Sequence, residues 1–170
     1  ANIDSANLNV SNPATYALIS EGKPILNISG KSILSRFQTS TQTLNTSNFA
    51  LNNVAISFPI KKNWGFTIGM NPYSNVGYKI QERFSFEGNT VRASYVGEGA
   101  INKVFAGVAY RPWRDSSNQL SIGFNIGYLF GSLGRERSHE FVDLTTYFNT
   151  KAEENLKVSD LYFDAGLIYQ

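Results

Sequence analysis

Between Gln119 and Ser132 the chain reads QLSIGFNIGYLFGS, and its period is two. Leu120, Ile122, Phe124, Ile126, Tyr128 and Phe130 alternate with Ser121, Gly123, Asn125, Gly127 and Leu129. A helix would scatter these residues around its circumference, whereas a strand sorts them onto two opposite faces. The same pattern recurs in NNVAISFPI (52–60), WGFTIGMNPY (64–73), NKVFAGVAY (102–110) and LYFDAGLIY (161–169). An all-β fold follows. Six antiparallel strands are expected, at about 25–37, 49–60, 63–84, 91–111, 119–138 and 157–170. Residues 1–24 are Asn- and Ser-rich, carry two prolines and read as irregular structure.

Connections alternate in length. Lys61–Asn63 is a tight turn, Pro112–Asn118 is short, and the link near Glu87–Thr90 is short. Phe37–Asn48 and Ser138–Leu156 read as long polar loops.

The second face of these strands decides between solvents. A soluble sandwich places Lys, Glu, Thr and Arg on its outer face. Here that face is mostly Gly, Ala, Ser, Thr and Asn. Charge gathers at turns and strand ends, as in Lys61, Lys62, Arg111, Arg114 and Arg135–Arg137. Charged residues are only 16% of the chain, against about 25% in soluble domains. Such a distribution predicts a transmembrane β-barrel with an apolar lipid face, a lumen of small residues and aromatic girdles (Trp64, Tyr73, Tyr110, Trp113, Tyr169). A tilted strand crosses the hydrocarbon in about 9–11 residues, and Leu120–Phe130 is that long. Known barrels need about eight strands, and an open edge in lipid is costly. The expectation is therefore an N-terminal segment at 1–24 and strands at 25–170 that form the N-terminal part of a larger barrel. Closure by several copies and a soluble β-sandwich are the alternatives.

Other classes are excluded or unsupported. The chain has no cysteine and one histidine, His139, so thiol chemistry, Cys-ligated metals and multi-His sites are out. No cofactor is expected. The net charge of +2 is unclustered, which argues against nucleic acid. His139, Asp143, Glu153, Glu154 and Asp160 read as solvated groups of a loop and the next strand, not an acid–base pair. An enzyme is not expected. Gly97-Glu98-Gly99 and Gly131–Gly134 do not open a helix, so phosphate binding is unsupported. Arg135, Glu136 and Arg137 read as the mixed-charge base of a loop, with lipopolysaccharide as the functional alternative.

Asn12-Pro13-Ala14, FPIKKNWGFTIGMNPYSNVGYKI (58–80) and GEGAINKVFAGVAY (97–110) together resemble the FadL-type outer-membrane transport proteins, a long-chain fatty acid transporter family. The resemblance spans about Asn12 to Gln170. It implies a hatch-plugged barrel in the Gram-negative outer membrane, with passive uptake of small hydrophobic compounds and lateral exit at a kinked third strand. Asn12, Pro13 and Ala14 would be the hatch motif. Pro72, Tyr73, Ser74, Asn75, Val76, Gly77 and Tyr78 would form the lateral gate. Proline inside a strand removes a ladder donor, which fits a break there. The implied partners are outer-membrane lipid and a hydrophobic substrate. A lumen bearing Asn53, Thr67, Ser121 and Asn125 offers no clear hydrophobic pocket, however. The second expectation is an interaction protein that docks on or plugs a secretion translocon. A soluble binding module is the third.

Overall fold

The structure is a computed structural model that describes residues 9–38, 43–115, 118–141 and 147–170. A 3-10 helix, η1 (Pro13–Leu18), precedes six strands: β1 (Ile25–Gln38), β2 (Thr43–Lys61), β3 (Trp64–Phe86), β4 (Asn89–Arg114), β5 (Gln119–Phe141) and β6 (Thr150–Tyr169). They form one sheet in chain order, β1 to β6. The β1–β2 and β2–β3 ladders are antiparallel. Two turns show why the connections are tight. Lys61 pairs with Trp64 across a turn whose Asn63 has φ 72°, and Glu87-Gly88 has φ 48° and 81°. Positive φ at both central residues, as at Glu87-Gly88, is the hairpin turn that matches strand twist.

The sheet is open, with β1 and β6 at its edges. The all-β, antiparallel, six-stranded expectation holds at that level, and the described residues form no closed barrel. Strand ends correct the sequence reading. Phe37–Asn48 and Ser138–Leu156 are not simply long loops, because β2 begins at Thr43 and β6 at Thr150. The β1–β2 register continues to Gln38↔Thr43, with a bulge at Ser29/Gly30. Both faces of these ends are exposed, so no apolar–polar alternation marks them. Backbone pairing alone carries the strand. His139 lies inside β5, not in a loop, and Asp143 falls outside the described residues.

The chain divides into two compact units. The first comprises Ala1–Pro72, Lys103–Tyr128 and Leu161–Gln170. Its burial is inverted relative to a soluble protein. Ser57, Thr67 and Ser121 are 0% exposed and Asn125 is 2% exposed, whereas Ile68 and Phe124 are 44% and 46% exposed and Leu167 is 63% exposed. Residues of odd number in β2 to β5 face the covered side, and large apolar residues face outward. Ser57 and Thr67 are cross-strand partners, with hydroxyls 2.6 Å apart. The covered apolar cluster is Tyr16, Ala17, Ile19, Ala55, Phe105 and Ala109.

The second unit comprises Tyr73–Asn102 and Leu129–Asp160. Val91 and Ala93 are buried in it. Gly99 and Gly131 have φ 129° and 148°. A Cβ on Gly99 would overlap the Ser132 carbonyl, and one on Gly131 the Ala100 carbonyl. Charges pair along the strands, as in Lys151–Glu136 at 3.1 Å and Arg92–Glu140 at 3.6 Å. The ring of His139 meets Tyr95 edge-on. Arg135–Arg137 lie in β5, not at a loop base.

The buried Ser57–Thr67 contact gives a direct test. Thr67→Val leaves the Ser57 hydroxyl buried without its partner and should cost about 1–3 kcal/mol. The double variant Ser57→Ala/Thr67→Val should recover most of that loss. Denaturant unfolding of the purified protein reads both.

Candidate docking site

The site is built on the NPA segment. Asn12 caps η1: its Oδ1 accepts from the Ala14 amide at 3.0 Å, and its Nδ2 donates to the Leu167 carbonyl of β6 at 3.4 Å. Pro13 suits the first helical position because the missing N–H has no partner there in any case. The Thr15 hydroxyl lies 2.9 Å from the carbonyl of Asn9 and 2.8 Å from that of Asn12. These local bonds hold a short turn rigid before it meets the sheet, and Pro13 to Ala17 are all buried.

What it meets is a floor of glycines. Four strands each supply one. A Cβ on Gly65 of β3 would overlap the Tyr16 carbonyl, and one on Gly123 of β5 would overlap Pro13. A Cβ on Gly166 of β6 would overlap the Asn12 side chain and stand 2.9 Å from Pro13 Cδ. A Cβ on Gly107 of β4 would overlap the Asn125 side-chain oxygen and stand 2.8 Å from the Tyr16 ring. Any side chain at Gly65 or Gly123 would meet backbone, which cannot swing away. The turn thus lies directly on the main chain of the sheet.

Tyr16 is the pivot of the contact. It is fully buried, and burial pushes its phenol up to about 12. Asn125 beside it pulls the other way, but the hydroxyl has no hydrogen-bond partner among the described residues. Asn125 Nδ2 reaches Asp164 only at 3.5 Å, and its Oδ1 is unpartnered. Asn53 Oδ1 and Ser121 Oγ are also buried without partners. The covered face therefore holds several unpaired polar atoms, which is costly for a sealed core.

Asn12, Pro13 and Ala14 are brought together on this floor. Pro72–Tyr78 lie along β3. Pro72 belongs to the first unit and follows the Val54↔Met70 pair by two positions. Tyr73–Tyr78 belong to the second unit, where the Tyr78 ring lies against Gly97 and a Cβ on Gly77 would meet open space. Sequence reasoning missed Tyr16 and the glycine quartet as a site. The four glycines were visible as small partners of apolar residues, but alternation cannot say what lies above them. No group of three or more potential metal ligands occurs among the described residues.

The BamG family model matches residues 1–170. The chain belongs to the BamG family. No curated protein and no solved structure matches it. This membership overturns the resemblance to FadL-type transporters, together with the fatty-acid uptake and hydrophobic substrate it implied. The misreading has a physical source. An apolar outward face, a small-residue inner face and a buried N-terminal turn describe a way of building a wall. They do not describe a substrate path. The match covers the whole chain, which makes it more informative than three short segments.

Two predictions follow from the floor. Gly123→Val should displace η1, whereas Gly77→Val should leave it in place. The chain lacks cysteine, so a single spin label at exposed Ser20→Cys reports docking as loss of mobility. For Tyr16, the folded value of about 12 exceeds the ordinary value of 10.0. Its neutral form therefore supports docking fully below pH 10, and that support is lost as pH rises through 12. The label should loosen across that window, and Tyr16→Phe should remove the transition.

Proposed function

We propose that this protein is a non-enzymatic component of the outer-membrane β-barrel assembly (BAM) machinery, to which the family's name points. Membership of the BamG family over the full chain carries the reading. It belongs to the interaction-protein class rather than the transporter class. In this reading the six strands form part of a membrane-embedded wall. The inverted burial supports that, because outward Ile68, Phe124 and Leu167 suit hydrocarbon and the small, polar face suits a covered interior. The open edges at β1 and β6 must be paired within such a wall, since unpaired backbone in lipid costs several kcal/mol per group. In the same reading η1 acts as a fixed block on the covered face, with Asn12, Pro13 and Ala14 anchoring it.

The test is affinity isolation of the tagged native protein from Gram-negative outer membranes. Extraction should require detergent, and components of the assembly machinery should co-elute, identified by mass spectrometry. Release by salt alone would overturn the embedded wall. Elution free of the machinery would overturn the assembly role.

A further inference from the structure

The turn end of the first unit contains a feature that the docked turn does not explain. A cavity of about 540 Å³ lies where the chain leaves η1, lined in part by Glu21, Lys62, Asn63, Arg111, Arg114 and Gln119. Three cations face one carboxylate there. Arg111 is only 9% exposed. Its Nε and Nη2 donate to Asn63 Oδ1 at 3.3 and 3.2 Å, and its amide donates to the Asn63 carbonyl at 2.9 Å. The side chain is thus fixed in direction by a neutral amide. A guanidinium carries five N–H donors in a rigid fork suited to carboxylates, and no ion pair engages Arg111 among the described residues. Arg114 adds like charge, and Glu21 offsets part of it. Lys62 and Arg114 are exposed, with the exposed Asp115 carboxylate beside them in the adjoining hollow, and neither forms an ion pair among the described residues. Burying a cation without a contacting anion is expensive, so the site is built for a negative group.

The location selects the kind of anion. Arg111 projects from the same face of β4 as Gly107 and Ala109, the face that η1 covers, and the residues following η1 form part of the cavity wall. A phospholipid would lie along the opposite, apolar face. Trp64 stacks on Tyr110 at 4.6 Å near this end, and Trp113 is exposed beside Lys62 and Arg114. Aromatics of this kind mark the membrane–water boundary, so the cavity opens where an aqueous partner arrives.

We propose that this cavity is the receptor for an acidic peptide segment of a protein partner, its carboxylates held by Arg111, Arg114 and Lys62. The proposal rests on the interaction-protein reading and adds where a partner engages. The fixed Arg111 fork supplies direction, and the two exposed cations supply attraction.

The test uses the detergent-purified native protein and a fluorescein-labelled hexaglutamate peptide, read by anisotropy. Saturable binding is expected, weakened about tenfold or more by Lys62→Gln/Arg114→Gln. Both residues are exposed, so the variant should fold. Arg135→Gln/Arg137→Gln, in the other unit, should bind as the parent does. Arg111→Lys keeps the charge but loses the fork, and should also bind more weakly. Absence of binding, or equal loss in the Arg135/Arg137 control, would overturn the site. Displacement of the peptide by phosphatidylglycerol micelles, but not by neutral ones, would reassign it to a lipid anion and also overturn it. Co-elution with the assembly machinery without peptide binding would sink only the cavity, whereas peptide binding without co-elution would sink only the assembly role.

Discussion

A main chain can lie directly on a sheet only where the sheet has no side chains. That constraint organises the first unit. Gly65, Gly107, Gly123 and Gly166 come from four different strands, and together they clear the ground for five buried residues of η1. The contact needs the four strands in one register, because a slip by one residue would turn each glycine to the other face and bring a large apolar residue under the turn. Docking and register therefore support one another.

The same constraint explains the inverted burial. A face that must admit a backbone cannot carry Ile, Phe or Leu. Those residues occupy the alternate positions and point outward, where Ile122, Phe124 and Ile126 remain exposed. In water such a face would be an aggregation hazard. In hydrocarbon it is the ordinary exterior of a barrel wall. The polar atoms left unpaired on the covered side, including Tyr16 Oη and Ser121 Oγ, are less costly where water reaches an interior than in a dry core.

The resemblance to fatty-acid transporters rested on a local turn and a strand pattern that do not specify use. Asn12-Pro13-Ala14 does form a capped, buried turn, and that follows from local chemistry: an Asn cap, a proline at the first helical position and a Thr hydroxyl within reach of preceding carbonyls. Nothing in that chemistry specifies cargo. A buried turn on a wall serves a transporter or an assembly component equally well. Membership of the BamG family over residues 1–170 overturns the transporter reading, and it came from comparison of the whole sequence.

The β class, strand order by hairpins and the division of each strand into an apolar and a small-residue face were legible in the residues alone, because side-chain direction alternates strictly along a strand. The N-terminal ends of β2 and β6 were not legible. Their two faces share one environment, so alternation vanishes while backbone pairing continues. Tyr16, the glycine floor and the Arg111–Asn63 fork were also beyond the sequence. Each joins residues far apart in the chain: Gly65 with Tyr16, Gly166 with Asn12, Arg111 with Asn63. Local pattern states which way a residue points, and only the assembled sheet decides what it points at.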